Sequence, residues 1–149
     1  MKFSSLNPTR TLMGVSLLIG LLSGCAQMGN MAGMPMGDNL SLSGGQEVPP
    51  VTTAAVGTGQ IRVMADGTVS GSISTAGVPG TMAHIHLGAR GANGPVIIPL
   101  MGVGPGVWSV PTGAKLTAEQ LEAYQAGKLY VNVHSEMNKG GEIRAQLMP

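Results

Sequence analysis

Short stretches of alternating apolar and polar residues, separated by glycine-rich segments, run through most of the chain. At 59–64, for example, Ile61 and Val63 fall on one face of an extended strand, and Ala65-Asp66-Gly67 then supplies a hairpin turn. The same pattern predicts about eight strands, at 40–43, 59–64, 68–74, 82–87, 96–100, 107–110, 129–134 and 142–147. Strands of this length without alternating helices indicate an all-β fold, a Greek-key β-sandwich or barrel.

One short helix interrupts the strands. Thr117 is the predicted N-cap, Gln120 completes a capping box three residues later, and Gly127 ends the helix at C′. Leu116 and Leu121 flank the cap at the positions of a hydrophobic staple. These features agree with one another and together predict a short helix between Thr117 and Gly127.

The first residues follow a different pattern. Lys2 and Arg10 precede an almost purely apolar run at 12–22, and Leu22-Ser23-Gly24-Cys25 resembles the lipobox of bacterial lipoproteins. A transmembrane helix is the alternative, but the run falls well short of the roughly 20 residues that cross a bilayer. We therefore expect 1–24 to be a lipoprotein signal peptide, removed when Cys25 receives its fatty acyl (palmitate-type) chains.

Residues 25–38 form the lipidated cysteine and a flexible Met/Gly-rich tether, since glycine and proline interrupt every periodicity there. The β domain then occupies 39–149. By resemblance to Gram-negative lipoproteins, Ala26 rather than aspartate after the cysteine favours the outer membrane, facing the periplasm or the cell surface. Cys25 is the only cysteine, so the domain has no disulfide.

The charge balance excludes one class of partner. The chain has 8 Lys and Arg against 7 Asp and Glu, with no basic run. Nucleic acid is therefore not an expected partner.

The sole tryptophan, Trp108, is assigned to the core, and Glu142 and Arg144 share a face of the last strand as a predicted structural pair.

All three histidines lie in predicted strands. His84 and His86 leave the same face of one strand together with Met82, while His134 leaves its strand opposite the inward-facing Val133. If the two strands are neighbours, three imidazoles converge, and imidazole ligands suit copper, zinc and nickel. A thioether from Met82 favours Cu(I). The alternative is a solvated strand face on which the histidines have no common role.

Several sequence blocks in fixed order resemble the CHRD domain. They are 47–51 (EVPPV), 83–88 (AHIHLG), 94–96 (GPV), 116–120 (LTAEQ), 127–135 (GKLYVNVHS) and 140–147 (GGEIRAQL). The resemblance covers about 40–147, and it departs from the family at Lys139, where proline is frequent, and at Ala145, where glycine is frequent. It implies an exported protein but assigns no activity, because bacterial members are mostly uncharacterised.

A looser likeness is to copper/zinc superoxide dismutase. His84 and His86 match its first pair of copper ligands, and His134 matches its last. The bridging histidine, the zinc ligands, the disulfide and a clear catalytic arginine are missing, so Arg144 is not assigned that role. The likeness therefore implies a Greek-key sandwich and a copper site without implying dismutase turnover, and we assign no catalytic residue.

The tether carries a second set of soft ligands. Its methionines, Met28, Met31, Met34 and Met36, resemble the methionine motifs that capture Cu(I) in periplasmic proteins, although a simple flexible spacer has the same composition. The favoured hypothesis is a lipid-anchored protein that handles copper in the cell envelope. The alternative is a non-catalytic structural, adhesion or interaction module with an envelope protein as partner; a dismutase-like enzyme is the least favoured.

Overall fold

A computed structural model describes Met1 and residues 39–149. The rest of the predicted signal peptide, the predicted lipidation site Cys25 and the tether through residue 38 lie outside the described residues. So do the four tether methionines, Met28, Met31, Met34 and Met36. The predictions made for this region stay predictions.

The described domain is built from nine strands and one short α-helix, which confirms the predicted all-β fold. The strands are β1 (Asn39–Ser43), β2 (Val56–Val63), β3 (Val69–Ala76), β4 (Gly80–Leu87), β5 (Val96–Pro99), β6 (Met101–Gly104), β7 (Val107–Ser109), β8 (Leu129–Ser135) and β9 (Ile143–Leu147). The additional strand is β6, whose sequence Met-Gly-Val-Gly has the composition of a turn. It forms by pairing with β7 as an antiparallel hairpin.

All strand pairings in the described domain are antiparallel, and they form one sheet in the order β5-β4-β8-β9-β1-β2-β3-β7-β6. Consecutive strands β5 and β6 lie at opposite ends of this order. Leu100, the single residue between them, still donates its N–H to Ala83 O of β4 at 2.9 Å. The chain thus passes from one edge of the sheet to the other, and the sheet curls into a nearly closed barrel.

The interior of the barrel holds the aliphatic side chains that alternate along the strands. Leu42, Ile73, Ile85 and Val133 are each at most 1% exposed. Trp108 of β7 is half-buried and packs against this core, as predicted. Burying these apolar surfaces supplies the main stabilisation of a domain that has no disulfide.

The α-helix, Ala118–Gln125, begins and ends where the sequence predicts. Thr117 Oγ1 accepts the N–H of Gln120, and Gln120 Oε1 accepts the N–H of Thr117, so both bonds of the capping box are present. Gly127 follows the helix at a φ of 65°, in the left-handed region that glycine adopts without strain. Within residues 39–149, no helix combines the length and apolarity needed to span a membrane.

Strand β8 differs from an ordinary surface strand because every one of its residues is buried. One face points into the barrel. The other face, which carries Tyr130, Asn132 and His134, is covered by three loops, at 44–51 (which begins with the 3₁₀ turn Gly44–Gln46), 88–95 and 136–142. The histidine face is therefore not a solvated strand face at β8, and the second layer of buried side chains on it is polar.

Candidate metal centre

The two histidine-bearing strands are neighbours in the sheet. Strands β4 and β8 pair antiparallel, with Met82 opposite His134, His84 opposite Asn132 and His86 opposite Tyr130. Opposed residues of antiparallel strands project from the same face, so this register places all three histidines on one side. The predicted convergence of the imidazoles is confirmed.

The three rings lie close enough to share one ion. Each of His84, His86 and His134 offers one ring nitrogen, and these nitrogens lie within 4.8 Å of one another. His84 Nδ1 is 3.1 Å from His134 Nε2. That separation is close to the roughly 3 Å expected between two nitrogens bound to one ion at about 2 Å.

Two of the rings are fixed by backbone carbonyls. His86 Nδ1 is 2.9 Å from Gly94 O, and His134 Nδ1 is 2.9 Å from Lys139 O. A carbonyl oxygen only accepts hydrogen bonds, so each Nδ1 carries a proton. In the neutral rings the lone pair is then on Nε2. Such hydrogen bonds to the outer nitrogen orient metal-binding histidines in many proteins.

His86 also has a buried nitrogen without a partner. Its Nε2 has no hydrogen-bond partner within 3.5 Å, although the residue is buried and the Asn132 side chain is close enough to raise the pKa of His86. A buried polar atom without a partner lowers the stability of the folded protein, commonly by about 1–3 kcal/mol. An ion bound by the three rings would satisfy this atom, so the donor set fits a metal of the imidazole-binding class.

The environment keeps two of the imidazoles neutral. Desolvation lowers the pKa of His84, and repulsion from His134 and His86 lowers it further. Desolvation also lowers the pKa of His86, against the effect of its hydrogen bond to Gly94. Because a neutral imidazole has a free lone pair, these shifts favour metal binding near neutral pH.

The composition of the cluster limits the choice of ion. Among the described residues, the group contains three histidines and no carboxylate. Calcium and magnesium need several oxygen ligands, whereas copper, zinc and nickel bind imidazole. Met82 lies across from His134 and is 49% exposed, so its thioether is on the histidine face but not packed into it. Its role as a ligand stays a prediction.

Beside the histidines, the same covered face carries a stack that sequence reasoning missed. The ring of Tyr130 is parallel to that of His86, with 4.7 Å between centroids and 7° between planes. The Arg144 guanidinium lies 3.4 Å from the centroid of the same Tyr130 ring. One face of a ring cannot hold both groups, so Tyr130 lies between the imidazole and the guanidinium. This stack positions His86.

The predicted pair between Glu142 and Arg144 is wrong. Glu142 instead accepts hydrogen bonds from Ser135 and Thr53, which lower its pKa against the effect of burial. Arg144 donates to Ala89 O, Asn93 Oδ1 and Gln146 Oε1. The prediction failed because Glu142 lies before the start of β9. Alternation along β9 places Arg144 on the covered polar face, but it does not determine where the side chain of Glu142 points.

A carboxyl group that interacts electrostatically with Arg144 comes from the loop at 44–51. Glu47 is buried, and its Oε1 has no hydrogen-bond partner. Burial raises the pKa of Glu47 to about 7, although the charge of Arg144 and the Asn132 amide act in the opposite direction. A single glutamate before Val-Pro-Pro is the only sequence signal for this residue, and it does not reveal where the loop packs.

The family model of the CHRD domain matches residues 39–147. The chain belongs to the CHRD domain family. No curated protein and no solved structure matches it. The CHRD match covers the whole described barrel except its last two residues, so both the histidine cluster and the Tyr130 stack lie within the family domain. Membership therefore accounts for the fold, whereas any binding chemistry depends on the particular residues of this CHRD domain.

Proposed function

We propose that this protein binds a transition metal, with copper favoured, and handles it in the cell envelope. His84, His86 and His134 are the ligands. The observation that carries the proposal is the convergence of three ring nitrogens within 4.8 Å, two of them on rings held by backbone carbonyls. Rings held in place before binding reduce the ordering cost of binding.

The choice of copper rests on the ligands around the imidazoles. The group has no carboxylate, and Met82 is the side chain opposite His134 on the same face. A thioether prefers soft Cu(I) over Zn²⁺. The methionines of the tether, Met28, Met31, Met34 and Met36, add soft ligands of the same kind, and they could collect Cu(I) and pass it to the histidines.

A metal titration of the full chain tests this proposal. We expect the wild-type protein to bind one Cu(I) at the histidines in competition with a chromophoric chelator. Replacing His84, His86 and His134 together by alanine should weaken Cu(I) binding at least about 100-fold, because all three proposed histidine ligands are lost. Unchanged affinity would refute the site. Absence of binding by the wild-type protein, with a protein partner captured instead, would favour the structural or adhesion module.

Two methionine variants separate copper selectivity from simple metal binding. Met82→Leu should weaken Cu(I) binding about tenfold and leave Zn²⁺ binding unchanged, because zinc gains little from a thioether. Met64→Leu is the matched control, since Met64 is a similarly exposed methionine directly after β2, a strand that pairs with neither histidine strand. If Met82→Leu and Met64→Leu behave alike, the site has three ligands from histidine and no methionine.

The envelope assignment has its own test. The signal-peptide pattern at 1–24 and the lipobox-like Leu-Ser-Gly-Cys support export and lipidation of Cys25. Cells grown with labelled palmitate should label the wild-type protein and not Cys25→Ser. The variant should also move from the membrane fraction to the soluble fraction. Equal labelling of the two proteins would overturn the anchor without affecting the metal site.

A further inference from the structure

A cavity lies on the far side of Tyr130 from the histidines. Its volume is about 410 Å³, and its walls come from the loop at 44–51, the loop at 88–95 and strand β9. The lining residues that matter here are Glu47, Val48, Pro50, Arg90, Arg144 and Gln146. The volume lies within the range of small-molecule pockets and is much larger than one water or one inorganic ion fills.

The cavity contains two guanidinium groups of like charge. Arg144 is 1% exposed, and Arg90 is an exposed residue of the same wall. Desolvation is the largest cause that lowers the pKa of Arg144, and repulsion from Arg90 adds to it. Two arginines facing one cavity repel each other unless an anion lies between them, and guanidinium groups bind carboxylates with well-defined geometry.

The protein supplies little negative charge to balance them. Glu47 is the only carboxyl residue of the lining, and burial raises its pKa to about 7. Near neutral pH a large share of Glu47 is uncharged, so the cavity keeps an excess of positive charge. Hydrogen bonds to Ala89 O, Asn93 Oδ1 and Gln146 Oε1 hold the Arg144 guanidinium in place before any ligand enters.

Part of the remaining wall is apolar. Val48 and Pro50 line the cavity beside the arginines. We propose that the cavity binds a small organic carboxylate, held by Arg90 and Arg144 through its carboxylate group and by Val48 and Pro50 through its hydrocarbon part. This site does not depend on the metal, because Tyr130 lies between Arg144 and His86.

Binding of simple carboxylates to the purified, metal-free full chain tests the proposal. Benzoate and succinate are titrated and followed by calorimetry and by the chemical shifts of the lining residues, with inorganic phosphate as the comparison anion. We expect a carboxylate to bind at millimolar concentration or below, and at least fivefold more tightly than phosphate. No binding of either carboxylate at millimolar concentrations, or phosphate binding equally well, would overturn the assignment.

Variants locate the binding. Arg90→Ala should weaken carboxylate binding about tenfold, as expected for loss of a charged hydrogen-bond donor. Arg62→Ala, which removes an exposed arginine of β2 outside the cavity, is the matched control and should bind normally. At pH 8, Glu47→Gln should bind more tightly than the wild type, because it removes a competing negative charge. Equal losses in the two arginine variants would show only a general charge effect and overturn the site.

The variant in which all three histidines are replaced by alanine separates this site from the metal centre. We expect it to bind the carboxylate with unchanged affinity while failing to bind copper. Loss of carboxylate binding in that variant would show that the anion binds at the histidines, and it would overturn the second site while leaving the metal proposal intact.

Discussion

Strands β2 and β8 have the same alternation of apolar and polar residues, yet their polar faces have different surroundings. On β2, Thr58 and Arg62 are exposed between residues that point into the barrel. On β8, Asn132 and His134 are nearly as buried as the neighbouring valines, Val131 and Val133. The alternation therefore identifies the face of each residue in both strands, but it does not tell whether the second face meets water.

The difference comes from the loops. The turn between β2 and β3 is short, and the outer face of these strands stays open. Over β4, β8 and β9, the loops bring backbone oxygens to the polar side chains, among them Gly94 O for His86, Lys139 O for His134 and Gly88 O for Gln146. Buried polar groups are tolerated when they are paired, so these loops allow the barrel to keep reactive groups out of water.

The strongest test of this contrast compares two arginines. Arg144 lies on the covered face, where its guanidinium stacks on Tyr130 and interacts electrostatically with Glu47, whereas Arg62 lies on the open face and donates only to Gln60 among the side-chain hydrogen bonds described. Replacing Arg144 by methionine should lower the free energy of unfolding by about 3 kcal/mol or more, because it breaks a buried charged network. Replacing Arg62 by methionine should cost less than about 0.5 kcal/mol.

Urea unfolding of the two variants measures both values. If both variants lose a similarly small free energy of unfolding, the covered face contributes no more to stability than an ordinary surface. The long unbranched methionine keeps much of the packing of the arginine stem, so the difference reports mainly on the guanidinium.

A pH series on Glu47 sharpens the contrast. Its pKa is about 7 in the folded protein against an ordinary value of 4.5, so the folded state holds the proton more tightly than the unfolded state. The stability from this group is fully present below pH 4.5 and is lost as the pH rises through about 7. Relative to the wild type, Glu47→Gln should therefore gain up to about 3 kcal/mol between pH 4.5 and 8.

Glu122→Gln, which changes an exposed carboxylate on the helix, is the control for this series. We expect the difference in the free energy of unfolding between Glu122→Gln and the wild type to stay nearly constant across the same pH range. A flat difference for Glu47→Gln, measured by urea unfolding at each pH, would show that Glu47 is ionised without cost in the folded protein.

A pair of glutamines gives the smallest expected difference. Gln146 is buried and donates to Gly88 O and Gly127 O, both at 2.9 Å. Its replacement by alanine removes both bonds and should cost roughly 2 kcal/mol. Gln60, on the open face, donates to Asn39 at 3.2 Å, and Gln60→Ala should cost less than about 0.5 kcal/mol. Thermal or urea unfolding that ranks the two equally would contradict the contrast.

Local patterns predicted much of this fold and of the histidine cluster. The helix cap at Thr117 depends on neighbouring residues alone, and the shared face of His84 and His86 follows from the two-residue period of a strand. Convergence with His134 required one further condition, the pairing of β4 and β8, which the structure fulfils. Strand β6 was missed because its pairing with β7, rather than its glycine-rich sequence, makes it a strand.

The covering of the histidines could not be predicted in the same way. Glu47 comes from a loop almost 100 residues before Arg144, and nothing in either local sequence links the two. The stack on Tyr130 likewise combines residues of three different strands. Such contacts depend on how loops and strands meet in space, and a local period carries no information about that.

The passage of the chain through Leu100 has a consequence for self-association. A sheet that is not fully closed offers two free edges, each of which can template the addition of a strand from another molecule. Here both edges are formed by one continuous segment, with β5 and β6 only four residues long each. Short edges of this kind give an incoming strand few backbone groups to pair with. The one segment that passes through Leu100 therefore protects both free edges of the sheet against aggregation.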